Sequence, residues 1–121
     1  KNYISMLGSI SAALTAVKEC NGFVKVVQIK GKFSSIEEET TEALKNGCGI
    51  LMVDTGKLDD LVRCANTVND LGKRTQVEIA FAGGVRLAQI PELTRYGMDM
   101  LCIGKEIVDA TLLDMRLDVL R

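Results

Sequence analysis

Gly22, Gly47, Gly72 and Gly97 follow one another at a constant step of 25 residues. Each closes an amphipathic stretch and precedes an apolar run rich in β-branched residues. A helix commonly ends on a left-handed residue, and glycine takes that conformation without steric cost, so the step reads as a repeated helix-to-strand unit. Such units in series build a parallel sheet covered by helices, with ligand chemistry in the loops at the carboxyl ends of the strands. The expected fold class is therefore α/β, and those loops are where function is to be sought.

Within this frame the hydrophobic spacing places the elements. From Ser9 a helix carries Ile10, Ala13, Leu14 and Val17 on one face and stops at Asn21 and Gly22. Ser35 and Glu38 form a capping box for a second helix whose inward stripe is Ile36, Thr40, Ala43 and Leu44. Leu58, Leu61, Val62, Ala65 and Val68 give a third helix face, and a fourth helix lies between Leu87 and Tyr96, with Pro91 in its first turn or as a restart. Strands are expected over 24–29, 50–53, 76–81 and 100–103, and a half-exposed strand from the alternation of Met115, Leu117 and Val119. The segment from Lys1 up to the first helix reads as a polar loop.

A complete eight-unit barrel takes about 250 residues, so the 121 residues here hold about half of one. Either the sheet is open or the chain is part of something larger. Lacking an initiator methionine, it is expected to be a single domain, the C-terminal portion of a two-domain protein and an incomplete TIM-like α/β barrel. Its unpaired edges and apolar faces favour association with another copy, so a homodimer or higher assembly is expected.

Charge narrows the ligands. The 15 basic and 16 acidic side chains nearly balance and form no dense Lys/Arg block, which argues against nucleic acid and membrane surfaces and in favour of small molecules. Cys20, Cys48, Cys64 and Cys102 make no C-x-x-C pair and there is no histidine, so reduced, mostly buried thiols in a cytoplasmic protein are expected.

Two strand ends carry the strongest chemical signal: Ala82, Gly83 and Gly84 after the third strand, Gly104 and Lys105 after the fourth. In barrel enzymes a phosphate often rests on backbone N–H groups of two consecutive late loops, where glycines let the backbone approach. Asp54 ends the second strand, placed either to hold a metal or ribose hydroxyl, or to cap the helix near Leu58. The loop Lys30, Gly31, Lys32 is either an anion-attracting strand end or a solvated surface loop.

The same residues resemble the quinolinate phosphoribosyltransferase family, also called nicotinate-nucleotide pyrophosphorylase (carboxylating). Lys1 to Ile4, then Gly8, Ser9, Ile10, Ala13 and Leu14, resemble its K-[DE]-N-H-I…GS[IV]xxAL segment. Gly47 with Ile50 to Asp54 resembles its AGAD-[IV]-I-[ML]-L-D-N strand, and Ala82, Gly83 and Gly84 its Ser-Gly-Gly loop. Tyr96 to Asp99 resembles its T-G-V-D, and Ile103 to Asp118 its closing segment. The resemblance implies the barrel portion of an enzyme that joins quinolinate to phosphoribosyl diphosphate, releasing CO2 and diphosphate, to give nicotinate mononucleotide for NAD biosynthesis. It implies Mg2+ with the substrate diphosphate and Lys1 as a substrate contact. Asp54 becomes the strand-end acid near ribose or metal, and Gly83, Gly84 and Gly104, with Lys105, the phosphate cradle.

The chain departs from that pattern in chemically meaningful places. Tyr3 and Val108 replace histidines, and Ala82 replaces the loop serine. Where the family strand alternates Glu-Val-Glu, this one reads Val27, Gln28, Ile29, Lys30, and a lysine at a carboxylate position reverses the sign of any stabilisation offered to an oxocarbenium ion. The alternatives are a diverged, non-catalytic or different-substrate phosphate-binding barrel, or an aldolase or epimerase relative using Lys25 or Lys105.

Overall fold

The computed structural model describes residues 2–119. Its elements run α1 (Asn2–Leu7), α2 (Ile10–Ala16), β1 (Val26–Ile29), α3 (Ile36–Lys45), β2 (Ile50–Asp54), α4 (Leu58–Asp70), β3 (Glu78–Ala82), a 3-10 turn (Leu87–Gln89), α5 (Ile90–Leu93), β4 (Met100–Leu101) and α6 (Lys105–Val108). All four strands are parallel and lie in chain order, β1-β2-β3-β4. Parallel crossovers are right-handed, so consecutive strands in sequential order carry their helices on one side, as in the arc of a barrel. The fold is α/β, an incomplete TIM-like barrel.

The register explains which face is the core. Val27, Leu51 and Ile79 are in line, as are Ile29, Val53 and Phe81, and all six are buried beneath Leu14 of α2, Ile36 and Ala43 of α3, and Leu61, Cys64 and Val68 of α4. The alternate residues face the other way. Val26, Gln28, Ile50, Met52 and Glu78 remain half-buried or exposed and Met100 is exposed, since among the described residues no further strand or helix closes over that face, where only the small Ala80 and Ala82 of β3 are buried. The chemistry-bearing ends of β1 and β2 belong to this open face.

Gly22, Gly47, Gly72 and Gly97 all have positive φ, between 63° and 84°, but only Gly47 and Gly72 directly follow a helix end, after α3 and α4. The capping box is present, with Ser35 accepting from the Glu38 amide and the Glu38 carboxylate accepting from the Ser35 amide.

Several boundaries differ from expectation. Residues 2–7 form a helix rather than a loop, broken at Gly8 with φ of 88°. The second helix ends at Ala16, well before Gly22, because tight turns close through Lys18 N to Thr15 O and Cys20 N to Val17 O. The 87–96 helix is divided, since Pro91 lies at the start of α5 and the preceding turn closes separately as 3-10. No strand forms over residues 115–119. Leu117 is 95% exposed, and apolar alternation makes no strand without an edge to pair with.

Candidate functional site

The carboxyl ends of β1 and β2 bring three polar side chains together. Gln28, Met52 and Ala80 occupy one row of the open face, and Asp54 pairs with Ala82 one row further on. The Lys30 ammonium lies 2.9 Å from Asp54 Oδ2, and the Gln28 amide donates to the same oxygen. The side chains of Lys30 and Asp54 are 31% and 24% exposed, so the pair is reachable from solvent. The capping alternative for Asp54 is overturned: α4 has Lys57 at its N-cap with no side-chain cap bond, and Asp54 turns to β1.

Lys30 is held by a device that neither composition nor motif reveals. Glu39, on α3 and 1% exposed, accepts four backbone hydrogen bonds from the β1–α3 loop. Lys30 and Gly31 donate to Oε2 at 2.8 and 2.9 Å, Lys32 and Phe33 to Oε1 at 2.8 and 3.0 Å. Burial opposes the charge on Glu39, but the four amides outweigh it and hold its pKa below the ordinary 4.5. The successive amides thus form an anion nest that the protein fills with its own carboxylate. The only signal in the sequence is Glu39 itself, between Ile36 and Ala43 on the buried side of an otherwise acidic first turn.

The glycine loops leave neighbouring strands. Cys102 N donates to Phe81 O at 2.8 Å, which continues the β3–β4 ladder, so 82–84 and 103–105 leave from adjacent strand ends. Asp99 pins these strands. Its carboxylate accepts from the Ile79 amide and from Arg74, both at 2.7 Å. Burial raises its pKa, but Arg74 and that amide draw the net value below the ordinary 3.8.

Not every glycine faces outward. Gly56 N donates to Ala82 O at 3.0 Å, and a Cβ on either Gly56 or Gly83 would run into the backbone of the other loop. Gly83, with φ of 111°, therefore has a packing reason for being glycine. Gly84 and Gly104 have open space where a Cβ would stand, and only Gly84 has positive φ. Lys105 begins α6, and Glu106 accepts from Leu87 N at 2.6 Å, which takes that amide away from any ligand. A cavity of about 260 Å³ opens against Gly83, Gly84 and Gly56, with Gln89 and Glu92 also lining it. Lys1 lies outside the described residues.

Magnesium takes oxygen ligands, and a cation already in contact with such an oxygen competes with it. At Asp54 an ammonium already stands in contact, and among the described residues no three His, Cys, Asp or Glu side chains converge. The donor set does not fit a resident divalent ion at Asp54.

The cysteines divide. Cys48 and Cys64 are buried, whereas Cys20 and Cys102 are exposed, so only half of the thiols meet the expectation of burial. A second cavity, about 540 Å³ and apolar, lies between α1, α2 and β1, against Tyr3, Phe23 and Val24. It runs along the β1 edge and reaches the strand-end site at Gln28, which lines it.

Residues 1–118 match the family model described as quinolinate phosphoribosyl transferase, C-terminal domain. The chain is 25% identical over 122 residues to a protein of Methanocaldococcus jannaschii named as a probable nicotinate-nucleotide pyrophosphorylase (carboxylating), covering 99% of this chain and 42% of that protein. It is 26% identical over 116 residues to the rat nicotinate-nucleotide pyrophosphorylase (carboxylating), covering 96% of this chain and 37% of the relative. The chain thus spans well under half the length of these curated relatives. In fold it is similar to the nicotinate-nucleotide pyrophosphorylase of Francisella tularensis, with a TM-score of 0.68, 22% identity, and coverage of 86% of this chain and 34% of that one. NadC from Streptococcus pyogenes is similar to the same degree, with a TM-score of 0.67, 21% identity, and coverage of 87% and 34%.

Proposed function

The chain belongs to the quinolinate phosphoribosyltransferase C-terminal-domain family, and from that premise we propose that it forms the barrel portion of a phosphoribosyl-transferring enzyme of NAD biosynthesis. Its substrates in this reading are phosphoribosyl diphosphate and quinolinate or a related aromatic acid; the products are nicotinate mononucleotide, diphosphate and CO2. The observation that carries the reading is the family match over 1–118 together with two glycine-bearing loops on hydrogen-bonded neighbouring strands.

The residues divide the work. Gly84 and Gly104 offer backbone that a phosphate can approach, and Gly83 holds its loop against Gly56 so that the backbone is preset. Lys105 supplies charge at the same end of the sheet. Asp54 Oδ2 is engaged by Lys30 and Gln28, so Oδ1 is the oxygen available to a ribose hydroxyl. Lys1 is assigned to the acid substrate by resemblance. By resemblance magnesium would enter with the substrate diphosphate and not as a resident ion, since the Lys30 ammonium already occupies the contact at Asp54 Oδ2.

The open face and the β1 edge support a second copy of the chain as partner, in a homodimer or higher assembly. A cytoplasmic setting is part of the same reading, in keeping with free cysteines at all four positions. No helix of the described residues is long and apolar enough to cross a membrane.

One observation favours a second reading, a diverged phosphate-binding barrel without turnover. Lys30 neutralises the strand-end acid, which weakens its stabilisation of a cationic sugar. Calorimetric titration of the protein as the cell makes it, with phosphoribosyl diphosphate, quinolinate and nicotinate mononucleotide in magnesium buffer, separates the two when paired with a product assay. Binding with product formation is expected. Binding without product moves the conclusion to the second reading, and no binding of any of the three refutes both.

A further inference from the structure

We propose that Lys30 stands in this chain where a divalent cation would otherwise serve Asp54, so that a sugar carrying a diphosphate is bound without a metal ion. The inference rests on the proposed phosphoribosyl diphosphate reading and adds to it a specific electrostatic arrangement. A carboxylate that faces a sugar bearing several phosphate charges repels it, and the usual remedy is a divalent ion shared between carboxylate and phosphate oxygens. Here the remedy is covalently part of the chain. The Lys30 ammonium is 2.9 Å from Asp54 Oδ2, and the Gln28 amide donates to the same oxygen from the neighbouring row of the sheet.

Three features make this a built arrangement rather than a chance surface pair. Lys30 follows β1 directly, and its amide is one of the four bound by buried Glu39, so the backbone that carries the ammonium is fixed from below by α3. Glu39 consumes the loop amides, which leaves the ammonium groups of Lys30 and Lys32 as the loop's means of meeting an anion. The pair also sits at the carboxyl end of the sheet on its open face, with both side chains partly exposed, so a ligand can reach it. A divalent ion entering beside Asp54 meets the lysine charge, while a phosphate meets an acid already neutralised by that ammonium.

The test is calorimetric titration of the protein as the cell makes it with phosphoribosyl diphosphate, once with magnesium and once with EDTA. The affinities are expected to agree within about threefold. Lys30→Gln is expected to lose about tenfold or more in EDTA and to recover in magnesium, whereas Lys30→Arg keeps the metal-independent binding. Thermal melts followed by circular dichroism establish that each variant is folded, and the arginine variant keeps the test decisive should the glutamine variant fail to fold. Wild-type binding that falls about tenfold on chelation overturns the proposal and leaves the phosphoribosyl diphosphate reading intact. Equal binding of wild type and folded Lys30→Gln in EDTA also overturns it. Absence of binding in both buffers overturns the underlying reading, and the lysine proposal falls with it.

Discussion

Glu39 is a costly residue to bury, and its four amide partners are what make it tolerable. Glutamine in its place has one acceptor oxygen and presents N–H groups toward two loop amides, so donors face donors. Glu39→Gln is expected to destabilise the fold by about 3 kcal/mol, measured by urea denaturation, and to loosen the Lys30 loop. The pH dependence has a definite sign. With its folded pKa held below the ordinary 4.5, Glu39 contributes stability that is fully present above pH 4.5 and is lost as the pH falls through the folded value. Acid titration of wild type should therefore show a drop in stability below pH 4.5 that is smaller in the glutamine variant. The glycines allow a complementary test. Gly104 has ordinary φ and nothing within 4 Å of the place a methyl group would take, so Gly104→Ala should change stability by no more than about 0.5 kcal/mol. A fall in phosphate affinity in that variant would then report the ligand and not the fold. Gly56→Ala, which drives a methyl into the Gly83 backbone at positive φ, should cost more than about 2 kcal/mol.

At the scale of elements, β4 is only two residues long, and its attachment depends on side-chain stitching as much as on the ladder. Asp99 joins Arg74, the Ile79 amide and the start of β4, so Asp99→Asn should cost about 2 kcal/mol and raise amide exchange at residues 100–102 more than in β2. Since β4 positions the 103–105 loop beside 82–84, the same variant should weaken phosphate binding although residue 99 touches no proposed ligand. The folded pKa of Asp99 is below the ordinary 3.8, so this stitch too persists above pH 3.8 and fails as the pH falls through the folded value.

On the scale of the whole molecule, the sheet has helices on one side and an open face on the other, with Val26, Phe23 and Tyr3 exposed near the β1 edge. Sedimentation at rising concentration is expected to show association, and a monomer at high concentration would contradict it. Thiol labelling reports the same asymmetry of burial. Burial, reinforced for Cys48 by the nearby Cys64, pushes both thiols up to about 11, so at about pH 8 a thiol reagent should react quickly with Cys20 and Cys102 and slowly with the other two.

Much of this is legible in the chain itself, for a local reason. The helix-ending glycines Gly47 and Gly72, the Ser35–Glu38 box and the spacing of Ile36, Thr40, Ala43 or Leu61, Ala65, Val68 are imposed within a few residues by backbone sterics and helical period, so order and type of element follow from the sequence alone. Even Asp54 and the glycine loops are placed at strand ends by counting. Their partners are not countable. That Lys30 reaches Asp54 and that Gly83 is required by Gly56 depend on parallel strands 24 or more residues apart in sequence lying side by side, and that Glu39 turns inward to four amides depends on how the loop before α3 folds back over its first turn. The alternation of Met115, Leu117 and Val119 misleads for the same reason, since a strand exists only where another edge accepts its hydrogen bonds. Local periodicity decides what each segment can become; long-range hydrogen bonding and desolvation decide which charges meet, because those energies arise only when distant segments are brought into contact.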